Sequence, residues 1–204
     1  MGFIAIASFV LAVQTQPKGT AAQTATNPTH TKASSEGVSR ARVSEIWDHI
    51  DNRVLMQTDI WYELGEFPSC VSLLRIQAAY SPDNYDACTN LGWMLENIER
   101  NDDALAVYLD FGKRHPNVGD AIFALGNAYF NMKDYKNSIK YLEPSLDKNP
   151  SENSYRILAK AYEKEGKPLD AIRIWELELK RYPKEQTPIA NIKRVKAKLA
   201  AGGK

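Results

Sequence analysis

Apolar residues recur at three- and four-residue steps along most of the chain, and the pattern restarts about every 34 residues. Cys88, Leu91 and Leu95 make one such stripe, Ile122, Leu125 and Tyr129 the next, and Tyr155, Leu158 and Tyr162 a third. Those steps put each trio on one face of an α-helix. Directly after the central Leu stands Gly92, Gly126 or Ala159. A small residue (Ala104, Ser138, Ala171) follows 12 residues later, and a bulky one (Tyr108, Leu142, Trp175) four after that. Pro82, Pro116, Pro150 and Pro183, spaced by 34, 34 and 33 residues, close the units. A proline ring without an N–H cannot continue a helical ladder, so each should end a second helix. The expected unit is a pair of antiparallel helices that buries its apolar face only by stacking on its neighbours. A mid-helix glycine costs about 1 kcal/mol against alanine. Close helix packing should therefore retain Gly92 and Gly126, with the small residue of the second helix meeting each from the other side.

The stretch 85–183 resembles the tetratricopeptide repeat, through its Leu-Gly/Ala-x-x-Tyr/Leu core on the first helix, the small and bulky residues on the second and the terminal proline. The resemblance implies an all-α fold, an α-solenoid of stacked antiparallel helix pairs coiled as a right-handed superhelix. Four units are expected, at 51–84, 85–118, 119–151 and 152–183. The first is degenerate: Gln57-Thr58 replace Leu-Gly, although Val54 and Trp61 keep the face apolar. Its second helix fits, with Gly65 and Phe67 at the turn, Cys70 at the small position and Leu74 at the bulky one. Ahead of it, Val43, Ile46, Trp47 and Ile50 predict a capping helix over 40–50 or an extension of the same helix. Ile189, Ile192, Val195 and Leu199 form one stripe of a basic helix over 184–204, the expected solvating C-terminal cap.

In this family the first helices line a concave groove that takes a peptide or a partner helix. Carried to this chain, the resemblance implies a groove built around Trp93, Asn97, Phe123, Asn127, Phe130, Asn131, Arg156, Lys160 and Lys164. Aromatic area lies toward the middle, asparagines stand ready to bond a peptide backbone, and positive charge gathers at the C-terminal end. Chaperone-binding relatives grip a terminal carboxylate with a Lys and an Asn on one repeat, an Asn on the next and a Lys and an Arg on a third. This chain departs from it, with Phe123 where a Lys belongs and Ile157 where an Asn belongs, so chaperone tails are not expected as partners.

Charge sharpens this picture a little. The 204 residues carry a net charge of +1, which argues against bulk electrostatic binding to nucleic acid. Residues 51–183 hold 16 Lys/Arg against 21 Asp/Glu, whereas 184–204 hold 6 against 1. An apolar run, Gly2–Val13, followed by small residues, reads as a signal peptide or N-terminal anchor over 1–22. It is too short to span a bilayer as a helix. A Thr/Ser/Ala/Gln-rich linker is expected over 23–39. The protein is accordingly expected to be exported, periplasmic or extracellular, or tethered near a membrane. Cys70 and Cys88 suit two small core side chains, with a disulfide left open. His30, His49 and His115 share no face with a carboxylate or cysteine at catalytic or metal spacing, and no phosphate loop or nucleophile motif is present. No cofactor, no metal and no enzymatic activity are expected. The function expected is that of an adaptor binding a peptide or helix of another protein. A self-associating structural module, an assembly factor in an envelope or secretion complex and a glycan-binding accessory domain are the alternatives.

Overall fold

The computed structural model describes residues 35–202. The segment 1–22 and linker residues 23–34 lie outside the described residues. Residues 1–42 group apart from 43–204, and of the former only the opening of the first helix is described. Among the described residues every regular element is helical. The order is α1 (Ser35–Glu63), α2 (Phe67–Tyr80), α3 (Tyr85–Asn97), α4 (Asn101–Arg114), α5 (Phe123–Asn131), α6 (Tyr135–Leu142), α7 (Glu152–Lys164), α8 (Pro168–Arg181) and α9 (Gln186–Ala200). Short 3-10 turns at Gly119–Ile122 and Glu143–Lys148 complete it.

α1 runs without a break, because no proline or glycine between Val38 and Leu64 interrupts its ladder. Residues 40–50 therefore extend the first helix of the first unit, the second of the two alternatives, and 35–39 are helix instead of linker. From α2 onward each helix packs on the next in sequence through to α9. This is the all-α stack of hairpins that the 34-residue period implies.

The turn between the two helices of a unit is the same four times. Gly65, Glu99, Lys133 and Gly166, each the fifteenth residue of its unit, have φ of 75°, 62°, 63° and 72°. Each donates its N–H to the carbonyl three residues back, and the following residue donates to the carbonyl five back: Glu66 to Trp61, Arg100 to Leu95, Asp134 to Tyr129 and Lys167 to Tyr162. This paired closure satisfies the last carbonyls of the first helix and needs one residue in the left-handed region. Glycine fills that place in two units. A non-glycine residue there costs about 1–2 kcal/mol, against about 0.5–1 kcal/mol for glycine's extra chain entropy. Glu99→Gly and Lys133→Gly should therefore each stabilise the fold by about 0.5–1 kcal/mol, read as a higher denaturant midpoint. A lower midpoint for both would contradict this account of the turn.

The third unit departs from the others. Its second helix stops at Leu142 and tightens into the 3-10 turn that carries Pro144, whose missing N–H cannot serve the α ladder. Its first helix starts with the 3-10 turn at Gly119. A Cβ on Gly119 would lie 2.7 Å from the Lys148 carbonyl oxygen and from the Pro150 nitrogen and Cα. Glycine lets the two irregular turns press backbone to backbone.

The core falls into two clusters. One centres on Leu74, Leu91, Met94, Leu95, Phe111 and Leu125, the other on Leu142, Leu158, Ile174 and Trp175. Gly92 and Gly126 are buried between the helices of their units, but the small residue is not the nearest group to either. A Cβ on Gly92 would lie 2.1 Å from the Tyr108 ring, and one on Gly126 would lie 2.3 Å from Leu142 Cγ. The glycine makes room for the bulky residue of the second helix, which corrects the expectation that Ala104 and Ser138 would meet it.

Candidate functional site

Two contacts show how the first helices sit side by side. The Tyr62 and Trp93 rings lie with centroids 5.5 Å apart, joining α1 to α3. Arg194 donates to Glu163 across 2.7 Å, joining α9 to α7. Both pairs are 31 residues apart and link the twelfth residue of one unit to the ninth of the next. α9 thus occupies the place of a fifth first helix, with Arg194 and Lys198 at its ninth and thirteenth positions. Along the row, the ninth positions are Asp59, Trp93, Asn127, Lys160 and Arg194, and the thirteenth are Glu63, Asn97, Asn131, Lys164 and Lys198. All are exposed except Asn127, which is half-buried.

The residues expected to line the groove divide into free and committed groups. Trp93 is 49% exposed although its ring leans on Tyr62. Asn97 donates 2.8 Å to the Trp93 carbonyl, and Asn131, Lys160 and Lys164 stand in solvent. Phe123 is half-buried and packs against the cluster around Leu158 and Trp175, while Phe130 meets the edge of Tyr135 at 5.4 Å. Arg156 is the departure. Its guanidinium donates to Glu178 at 2.9 Å, to Glu152 at 2.9 Å and to Glu185 at 2.8 Å, tying α7, α8 and the lead into α9 together. Three carboxylates absorb its charge, so it belongs to the frame and not to the free positive end of the row. Glu178 is fully buried, and burial pushes its carboxyl above the ordinary range while the Arg156 hydrogen bond pulls it back.

The twelfth positions are also committed. Tyr108 donates to Glu96 at 2.9 Å, and Trp175 donates to Glu163 at 3.3 Å. Each pair links equivalent positions of the first and second helices. In the third unit the same two places hold Phe130 and Leu142, an apolar pair in exchange for a polar one. Burial raises the Glu96 carboxyl, partly offset by the Tyr108 hydroxyl, and the Tyr108 phenol rises through burial and the Glu96 charge. The two act as hydrogen-bond partners, Tyr108 buried and Glu96 half-buried. Among the described residues no group of three or more His, Cys, Asp or Glu side chains gathers to hold a metal ion.

Residues 119–151, the third unit, match the family model for the tetratricopeptide repeat. Solved structures extend the likeness along the array. MamA of Desulfovibrio magneticus RS-1, from its residue 41 onward, superposes with a TM-score of 0.56 at 17% identity, covering 74% of this chain and 86% of that one. TTC0263, a thermophilic tetratricopeptide-repeat protein of Thermus thermophilus, gives 0.53 at 16%, covering 68% and 77%. PilF of Pseudomonas aeruginosa gives 0.57 at 13%, covering 76% and 71%. The third unit is a tetratricopeptide repeat, and the array around it has the tetratricopeptide fold. No curated protein matches the chain's sequence significantly. At these identities the structural likeness speaks for the fold, and a tetratricopeptide fold supports a role in protein–protein interaction or scaffolding.

The tetratricopeptide array holds two features that were not foreseen. One is an open apolar groove of about 530 Å³ along α1, lined by Ile46, Ile50, Val54, Gln57, Trp61 and Leu73. In later units the Leu at the position of Gln57 is buried, and no described helix precedes α1. The other is Asp120, whose carboxylate accepts from the Ser151 N–H and hydroxyl and from the Ser154 hydroxyl at 2.9–3.2 Å. It caps α7 from a different unit, a link 31 to 34 residues long that local sequence cannot announce. Cys70 and Cys88 are both free and buried, their thiols directed at the carbonyls of Thr58 and Val107. No described helix is long and apolar enough to cross a membrane.

Proposed function

We propose that this protein is an adaptor that holds an extended peptide or a helix of another protein along the row formed by α1, α3, α5, α7 and α9. The observation that carries this reading is Trp93. It is a large aromatic side chain left half open on the second helix of the row, beside Asn97 and one unit from Asn127 and Asn131. Exposed aromatics of this kind are the residues that most often anchor a partner, at up to about 2–4 kcal/mol each. The asparagines supply donors and acceptors for a peptide backbone, and Lys160 and Lys164 supply charge at one end. Phe123 contributes to the core and is left out of the test for that reason. Affinity capture with the full chain, beside a Trp93→Ala/Lys160→Glu/Lys164→Glu variant, should recover a partner with the first and lose at least tenfold of it with the second. Helical circular dichroism should match between the two. Equal recovery would move the interface off this row.

A second reading, a self-associating or assembly module, draws its support from the apolar groove along α1, which no other described helix fills. It requires oligomers in light scattering that an Ile46→Glu/Ile50→Glu variant abolishes. A monomer across the micromolar range removes it.

A further inference from the structure

The exposed positions of the row change charge in one direction. At the ninth and thirteenth places the first unit carries Asp59 and Glu63, both acidic. The second and third units carry Trp93, Asn97, Asn127 and Asn131, all neutral. The fourth carries Lys160 and Lys164, and α9 adds Arg194 and Lys198. The gradient survives the internal pairings. Arg194 is neutralised by Glu163, but Lys160, Lys164 and Lys198 remain exposed. At the other end Asp59 and Glu63 are exposed too, joined on α1 by Glu45 and Asp48. Arg156, which would have steepened the positive end, is cancelled by its own carboxylates. The surface is an acidic end, an aromatic and amide middle and a basic end, laid along one line of helices.

We infer that the partner of this row is a polypeptide segment of opposed polarity. Its Lys or Arg residues lie over α1, an apolar or aromatic residue meets Trp93, and Asp or Glu residues lie over α7 and α9. This rests on the adaptor reading above and adds the ligand's chemistry and direction to it. Complementary charge steers and orients a ligand more than it adds affinity, and like charges set against each other reject wrong registers. A segment with both charges at the correct ends is favoured twice, whereas one laid in reverse meets repulsion at both ends. Neighbouring helices lie about 8–10 Å apart, so the five span roughly 35 Å, the reach of about a dozen residues in extended form. The neutral middle explains why a net charge of +1 conceals the arrangement: the two ends cancel in the total.

The test is selection of a displayed random dodecapeptide library against the full-length chain, with the winners then measured as synthetic peptides. Winners should carry bases toward one terminus and acids toward the other. Their affinity should fall at least tenfold between about 50 mM and about 500 mM salt, since exposed pairs are screened. A variant with its ends exchanged, Asp59→Lys/Glu63→Lys/Lys160→Glu/Lys164→Glu, should select peptides of reversed polarity. All four side chains are exposed, so the swap should fold, which circular dichroism checks. Winners without charge order that still need Trp93 would overturn the polarity and leave the adaptor reading standing. Winners indifferent to Trp93→Ala would overturn both. No enrichment over an unrelated helical protein would also overturn the proposal. Self-association of the full chain that Lys160→Glu/Lys164→Glu abolishes would make a second copy the occupant and overturn it as well.

Discussion

Arg156→Met is expected to destabilise the protein by about 3–5 kcal/mol, the usual consequence of removing one partner from a buried ion pair. The cost arises at Glu178, which has no solvent exposure and whose Oε1 is bonded only by Arg156. Without the guanidinium a charged carboxylate stays in the core with nothing to offset its lost hydration. Glu152 and Glu185 are each more than a third exposed and lose less. The pH dependence identifies the cause. In the wild-type fold the Glu178 carboxyl already sits above its ordinary value of about 4.5, so the folded chain binds its proton more tightly than the unfolded chain does. Stability from this group therefore rises as pH falls from above the folded value to the ordinary one, and changes no further below both. Arg156 opposes that upward displacement, so removing it should widen the window and steepen the rise. Urea unfolding of Arg156→Met between about pH 7 and about pH 5 should show stability recovering more than in wild type. Arg156→Met/Glu178→Leu should regain most of the loss at neutral pH, because an apolar pair of similar volume needs no counter-charge. A double variant as unstable as the single one would mean that Arg156 acts through Glu152 or Glu185 instead.

The same residue shows where the sequence stops being legible. Counting from the start of each unit places Arg156 on the outward side of its helix, and the count is right about the helix. It cannot reveal that Glu178 and Glu185, 22 and 29 residues later, curl back to take the charge. The 34-residue period was legible because it is written in residue types with strong local preferences: leucine stripes, mid-helix glycines and closing prolines. The turn at the fifteenth position was half legible. Gly65 and Gly166 announce a left-handed residue, whereas Glu99 and Lys133 adopt the same φ with nothing in their chemistry to signal it. Asp120 was silent for the same reason as Arg156, since its partners stand 31 and 34 residues further along. Residues 40–50 were ambiguous because a cap and a helix extension carry the same apolar stripe. The contact at the mid-helix glycines was misassigned for another reason. A small residue opposite a glycine satisfies packing on paper, but the space a glycine opens is filled by whichever neighbour is long enough to enter it.

Gly126→Leu should test that last point directly. Any Cβ at this position falls 2.3 Å from Leu142 Cγ and 2.5 Å from its Cδ2, inside contact distance, and Leu142 is itself fully buried. The helices must part or Leu142 must leave its rotamer, and overpacking of that kind costs about 1–3 kcal/mol, more where the surroundings cannot yield. Here they yield poorly, because Leu142 is the last residue of α6 and is followed at once by the 3-10 turn holding Pro144. The expected loss is therefore about 3 kcal/mol or more, read as a lower urea midpoint with an unchanged slope. Leu142→Ala alone should cost about 2–5 kcal/mol through the cavity it leaves. If the two side chains compete for one space, Gly126→Leu/Leu142→Ala should be more stable than the summed single losses imply, with a coupling of about 1–3 kcal/mol. Pairing Gly126→Leu with Ser138→Ala should show no such coupling, since the small residue is not the one displaced. Strict additivity with Leu142→Ala would place Leu142 elsewhere and shift the second helix of the third unit out of register. Positions 127 and 131 on the facing row would then have to be reassigned with it.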